Sequence, residues 1–285
     1  MRKHLLMIVA TSVMLLALLA PSIANAADET GSTARWPWSG YWWPMLNTDT
    51  NLYDDAGPLA KYDTYLKSTT GTAGGAQAWE KANHFTADAK NDWWGHCHAW
   101  SAASILTTEP GAVTAGGVSF TANDTKGLVT ELYYSPQLNW LSGKRVDDAT
   151  DTSSAAYKDI APAWMDYLLR YYVRYYKFPF VMDINANAEV WNFPVFAYSR
   201  HTVDYAGGVQ DVTTQVWYSS PEYGTTGTRY FSRTYTYRLT AGQLGVWTGT
   251  SVDNHPDFAW VPTGRNTMPH VNGATVSAIL GGQAV

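Results

Sequence analysis

The stretch Asn91-Asp92-Trp93-Trp94-Gly95-His96-Cys97-His98-Ala99-Trp100-Ser101-Ala102-Ala103-Ser104-Ile105-Leu106 holds the sole cysteine in 285 residues. After Cys97, Ala99, Trp100, Ala103, Ile105 and Leu106 include apolar pairs three and four apart. That spacing predicts a helix with one face packed inward. Cys97 then opens the helix, where free N–H groups and the macrodipole favour an anion and draw a thiol toward thiolate. A thiolate is the form that attacks a carbonyl carbon. The plainer reading is a buried, inert thiol. It leaves the flanking pattern without a reason. An unpaired cysteine in an oxidising compartment is also a liability unless its reactivity is used.

Nucleophilic acyl chemistry needs a proton shuttle, a carboxylate to orient it, and donors for the oxyanion. Asn91 and the Cys97 N–H are the first choice for the oxyanion donors, with the Trp93 or Trp94 indole N–H as a second. His96 and His98 are sequence neighbours of Cys97 and so point away from it at a helix start. They read as wall or capping residues. His84 pairs on a helix surface with Glu80, four residues before it. His201 falls in a predicted loop beside Arg200, and His270 lies near the C-terminus. His255 follows a predicted strand and precedes Pro256. For the carboxylate, Asp183 ends an apolar strand, where a lone charge needs a reason. Asp257, two residues from His255, shares its face if the segment is extended.

The elements that must position these groups are legible in outline. Arg2 and Lys3 precede the apolar run Leu5–Ala20, and Ala24-Asn25-Ala26 is a small-x-small site. Together they predict a signal peptide, residues 1–26, cleaved after Ala26. Residues 27–285 then form a single domain, secreted to the extracellular or periplasmic side. No other run is long enough to span a membrane. Net charge is −5 and no long Lys/Arg run occurs, so nucleic-acid binding is disfavoured. A single cysteine excludes an intrachain disulfide and a cysteine-based zinc site.

Residues 27–35 are small and polar and predict a flexible start. Trp36-Pro37-Trp38-Ser39-Gly40-Tyr41-Trp42-Trp43-Pro44 cannot be helical. It reads as an extended segment burying its rings across the domain, the alternative being a ligand wall. Asp49, Asn51, Asp54 and Asp55 precede Gly57 without matching an EF-hand loop, and a solvated turn is the simpler reading. Helices are predicted over 58–67, 76–84, from Cys97, from Asn123 or Asp124 to about Tyr134, and over 159–177, with a hairpin in 112–120. Residues 143–154 read as a surface loop. Strands follow at 180–184, 189–198, 212–219, 228–238 and 245–251. Helices first and sheet later is an α+β order.

The segment around Cys97 resembles the nucleophile segment of papain-like cysteine enzymes. In those a Gln stands six residues before the cysteine, and Asn91 holds that place here. A second resemblance is more specific. Val190-Trp191-Asn192-Phe193-Pro194-Val195-Phe196-Ala197-Tyr198 is similar to the elicitor peptide of the oomycete transglutaminase elicitor family, which also has bacterial relatives. The family motif runs Val-Trp-Asn-Gln-Pro-Val with an aromatic following. Phe193 replaces its Gln, and Phe196-Ala197 its Arg-Gly. Trp93 to Cys97 and His255-Pro256-Asp257-Phe258 match two further family segments in the same order.

This resemblance implies a papain-like core whose cysteine helix packs on an antiparallel sheet. It implies a transglutaminase that joins protein Gln to protein Lys through a Cys97 thioester. It favours His255 as the shuttle, with Asp183 slightly preferred over Asp257 as its orienting carboxylate. Trp93, Trp94, Trp191, Asn192 and Pro194 become site wall or motif support. Calcium is the implied cofactor, and no organic cofactor is. The partners are proteins bearing Gln and Lys, with neither nucleic acid nor membrane. Two alternatives stay open: a papain-like protease or amidase using the same Cys–His pair, and a non-enzymatic, aromatic-rich secreted binding or elicitor module.

Overall fold

A computed structural model of the chain describes residues 26–46, 50–144, 159–184 and 189–285. The predicted signal peptide, except Ala26, lies outside the described residues, as do Asp49 and residues 145–154 of the predicted surface loop. The first described element is β1 (Ala26–Ser32). Next come α1 (Pro58–Thr70) and α2 (Ala76–His84). Pro58 at its first turn starts α1, and Gly71, at φ 84°, ends it by returning its N–H to Lys67. Then follow α3 (Cys97–Leu106), the hairpin β2 (Val113–Ala115) and β3 (Val118–Phe120), and α4 (Ala122–Leu132). A capping box opens α4: the Thr121 side chain accepts from Asp124 N–H, and the Asp124 carboxylate accepts from Thr121 N–H.

The second half is mainly sheet. β4 (Pro136–Gly143) precedes α5 (Pro162–Leu168), which continues as a π-helical stretch, Leu169–Tyr176, ended by Lys177 at φ 58°. Then come β5 (Phe180–Asp183), β6 (Asn192–Tyr205), β7 (Val209–Ser219), β8 (Tyr230–Thr240), β9 (Val246–Trp247), β10 (Phe258–Arg265) and α6 (Gly273–Ile279). The strands run in the order β4-β10-β5-β6-β7-β8-β9, with β1 also paired to β6, and every pairing is antiparallel. The helical layer lies on this sheet: α3 packs against β5, β6 and β10 on one side and against α4 on the other.

That placement explains why α3 is apolar nearly all round. Of its ten residues, eight are buried, so it needs no polar face. Trp100 is fully buried and donates its indole N–H to Trp38 O at 3.2 Å. The Trp36–Pro44 segment is irregular, turning at Trp43 (φ 47°), with Trp38 and Trp43 buried and Trp36 exposed. It is pinned by Ser39 N–H to Gly227 O, 2.9 Å, and by the buried Lys126 ammonium on Ser39 O, 2.5 Å.

Several expectations are corrected. Residues 26–32 form β1, paired by backbone to β6, where a flexible start is expected. Backbone pairing needs no apolar alternation, so the polar sequence gives no strand signal. His201 lies within β6 and bonds Asp28, not in a loop. The 159–177 helix starts at Pro162 and changes to π-helical turns after Leu168. The strand expected at 245–251 shrinks to Val246–Trp247 followed by a 3-10 turn, Gly249–Val252. Glu80 and His270 are both buried, where a surface pair and a loose terminus are expected.

Candidate functional site around Cys97

Cys97 is the first residue of α3, as its spacing predicts, and His96 takes the cap position without capping through its side chain. The approach is set by Gly95. A Cβ there would sit 2.5 Å from the Trp42 ring and 2.6 Å from Trp42 O, so only glycine lets the two segments touch. The contact lets His96 N–H reach Trp42 O at 2.5 Å and fixes where α3 begins.

The thiol is buried, with Sγ 3.8 Å from Val190 O and 3.8 Å from Asn192 Nδ2. Asn192 is held at three points. Its Oδ1 accepts from Trp260 Nε1 at 2.8 Å, its backbone O accepts from Ser101 Oγ at 2.8 Å, and Nδ2 is thereby aimed at sulfur. This network also fixes which way round the amide lies. Asp183, at the end of β5, stands opposite Asn192 in the β5–β6 register and is fully buried. Burial pushes the Cys97 thiol pKa up, hydrogen bonds from Asn192 pull it down, and the Asp183 charge raises it again. The net direction is upward. Desolvation outweighs the helix N-terminus, contrary to the lowered thiol pKa the sequence predicts.

One cleft opens on the sulfur, and a second adjoins it through His98 and Asn192. The first, of about 330 Å³, is lined by Trp93, Trp94, His84, His98 and Asn192 along with Cys97. The other, about 370 Å³, shares His98 and Asn192 and is walled by Trp140, Phe258 and Trp260. A wider hollow of about 690 Å³ lies against α5 and the π-helical stretch, and its lining includes neither thiol nor imidazole. His98 holds Nε2 2.9 Å from Tyr134 O.

The other predicted residues fall as follows. Asn91 closes a one-turn 3-10 helix, Ala89–Asn91, and lines neither cleft. The amide beside the sulfur is that of Asn192, from the second matched motif. Trp191 is half-buried, stacked on Phe193 (6.0 Å, 9°) and bonded through Nε1 to Glu189 at 2.9 Å. Pro194 sits in β6 opposite Val181. His255 lies between the 3-10 turn and β10, and lines neither cleft. Its Nδ1 donates to Ser251 O (3.0 Å), its Nε2 meets Asp159 Oδ2 (2.8 Å), and its ring stacks on Trp247. Burial and the neighbouring Asp159 raise the Asp257 carboxyl to about 7, against a lowering field from His255. The structure thus brings Cys97, Asp183 and Asn192 together. It gathers His255, Asp257 and Asp159 in a separate group.

Behind α3 lies an arrangement that sequence spacing missed. The ring of His96 turns away from the thiol into a pocket of Glu80, Glu131, His84 and His270. Burial opposes charge on His96, but Glu80 and Glu131 raise its pKa to about 9. The Glu80–His84 spacing was the one available signal.

As for calcium, the turn before α1 spends its oxygens locally: Asp54 accepts from Asn51 N–H, and Asn51 accepts from Tyr53 N–H. Among the described residues, both side-chain groups that could converge on a cation contain imidazole. Calcium takes six to eight oxygens, so neither group fits it.

The sequence matches the family described as transglutaminase elicitor over residues 67–240, more than half of the chain. No curated protein matches it. Among solved structures, the fold is similar to that of the GP42 transglutaminase from Phytophthora sojae, with a TM-score of 0.64 and 22% sequence identity. That match covers 89% of this chain and 91% of the other. It supports a shared arrangement of helices and antiparallel sheet.

Proposed function

The chain belongs to the transglutaminase elicitor family, and from that premise we propose that it is a secreted protein-glutamine γ-glutamyltransferase with Cys97 as nucleophile. The observation that carries the reading is the Cys97 thiol at the start of α3, beside the Asn192 amide, opening on an aromatic cleft. The cysteine helix packed on a later antiparallel sheet supports a papain-like core.

In this reading the thiol loses its proton to His98, expected from sequence as a wall residue but lining the same cleft as Cys97, with its Nε2 held by Tyr134 O. The sulfur attacks the γ-carboxamide carbon of a protein Gln, and the tetrahedral oxyanion is met by Asn192 Nδ2 and the Cys97 N–H. The proton passes to the departing nitrogen, ammonia leaves, and a thioester remains. A Lys amine then attacks the same carbon, gives up a proton, and releases the isopeptide with the thiol restored. The Trp93, Trp94 and Trp140 walls exclude water and admit a Lys stem, which favours amine over hydrolysis. Asp183, opposite Asn192 in the sheet, puts a negative charge within reach of the sulfur. His255 is the competing shuttle, with Asp159 and Asp257 as its partners.

The test is incorporation of a fluorescent primary amine into a Gln-bearing protein, run with calcium, with chelator, and with Cys97→Ser. His98→Gln and His255→Gln are compared in the same assay. The reading expects amine labelling that requires Cys97, with His98→Gln the slower of the two histidine variants. Release of ammonia or new termini without labelling moves the protein to hydrolase. A second reading, an inert thiol in a binding module, is favoured by the burial and raised pKa of Cys97. An absence of amine labelling together with failure of alkylating reagents to modify the folded protein would establish it.

A further inference from the structure

Glu80, Glu131, His84, His96 and His270 come from four places in the chain: α2, the cap of α3, α4, and the turn before α6. Glu80 and Glu131 are fully buried, and His96 and His270 nearly so. Two carboxylates and three imidazoles in one closed space need a reason, because a buried charge without compensation is costly. Shared protons are one answer. The geometry favours another.

Glu80 Oε1 meets His96 Nε2 at 3.1 Å, and Glu131 Oε1 meets His270 Nε2 at 2.9 Å. Yet none of these four atoms is aligned for a hydrogen bond, and Glu131 Oε2 and His270 Nδ1 also lack hydrogen-bond partners. Close but misaligned donor atoms are what ligands around one ion look like: at metal–ligand distances of about 2.1 Å they stand roughly 3.0–3.4 Å apart. The second observation is His96 Nδ1, 3.1 Å from Trp43 O. It donates its proton outward to a backbone carbonyl. With an ion bound, the ring is neutral and Nε2 presents its lone pair to the metal, as in metal-bound histidines; without one, the raised pKa puts a proton on Nε2. Facing two anions, that nitrogen needs either its own proton or a cation between. Trp79, stacked on His270 at 3.8 Å, closes one wall.

We propose that this cluster is a binding site for a divalent first-row transition ion of the zinc class, centred on Glu80 and shared with His84, His96, Glu131 and His270. Mixed imidazole and carboxylate ligands suit zinc and its neighbours. Two carboxylates and neutral imidazoles balance a charge of two. Since His96 is the cap of α3, the ion would brace the nucleophile helix from behind. The site is structural and stands independently of the acyl-transfer reading.

The test uses the purified protein, stripped with a strong chelator and titrated with zinc chloride by calorimetry. Metal content before stripping is read by mass spectrometry. The result expected is one or two equivalents of zinc per chain with Kd below about 1 μM, and a thermal midpoint raised by zinc. Glu131→Gln should lower the affinity at least 100-fold. His84→Asn, at the less buried edge of the cluster, should lower it about 10-fold while keeping the fold. Cys97→Ser should bind zinc as the parent does, which separates this site from the thiol. Cobalt substitution should give d–d bands without a thiolate charge-transfer band. No metal on purification, no zinc heat and no shift in midpoint would overturn the proposal and leave a proton-shared ion-pair network.

Discussion

The two sides of the α3 N-terminus differ in kind although consecutive residues build them. Behind it, His96 enters a closed, charged cluster with Glu80 and Glu131. In front, Cys97 faces one cleft and His98 two, walled by Trp and Asn side chains. A helix sets neighbouring residues about 100° apart, so one turn of chain serves two environments. Tyr134 stands between them, its ring within 4.9 Å of both His84 and His96 and 5.2 Å from His98. The back spends charge on holding the helix. The front has the Asp183 carboxylate near the sulfur and the neutral Asn192 amide as a donor to it, with His84 bordering both sides. Anchoring and reactivity are thereby kept apart at the scale of one residue.

Changes confined to the front sharpen that contrast. Cys97→Ser should lower amine incorporation roughly 10⁴-fold or more, while its circular dichroism and denaturation midpoint stay those of the parent. Loss of fold in this variant would mean the thiol is part of the packing instead. Asn192→Ala should cut kcat by about 10²–10³ with little change in KM, the size seen when an oxyanion donor is removed. An equal rise in KM with kcat intact would make Asn192 a substrate contact. Trp191→Ala, half-buried against Phe193 and Trp42, should lower stability by about 2 kcal/mol, less than a fully buried ring. Chemical denaturation checks it, and an unchanged midpoint would put Trp191 outside the packing.

The smallest effect concerns the His255 group, which belongs to neither side. Asp257 has its folded pKa raised from 3.8 to about 7, and the His255 pKa is raised above 6.5. For both groups the folded state holds its proton more tightly than the unfolded chain. Their contribution is therefore full below the unfolded pKa values and is lost as pH rises through the folded ones. Thermal midpoints should fall from about pH 4 to about pH 7 through Asp257, and further above pH 6.5 through His255, and Asp257→Asn should flatten the lower part of that fall. A midpoint that rises over the same range in the parent would contradict the assignment.

What the sequence revealed follows from how local each signal is. The cysteine helix and the later sheet rest on spacing within a few positions, whereas the cap of α4 is Thr121 and not the expected Asn123 or Asp124. The β1–β6 pair was hidden because backbone hydrogen bonds between residues 26–32 and 197–203 leave no mark in side-chain type. At the site, the cysteine was legible and its surroundings were not. Asn91 matches the oxyanion donor of papain-like enzymes only in standing six residues before Cys97. Asn192 reaches the sulfur because β5 and β6 bring residue 192 to α3, a contact across 95 positions. The raised thiol pKa was equally illegible, since burial is a property of the whole fold. The back cluster joins residues from 80 to 270, and only its Glu80–His84 pair lies within helical reach.

The most direct test is the fate of Cys97 during turnover. The protein is incubated with a Gln peptide without amine, quenched in acid, digested, and the Cys97 peptide is weighed. The expected result is an adduct on Cys97 equal to the Gln peptide less ammonia, lost on adding a primary amine. Amine incorporation that proceeds while Cys97 remains unmodified, or that persists in Cys97→Ser, would contradict it.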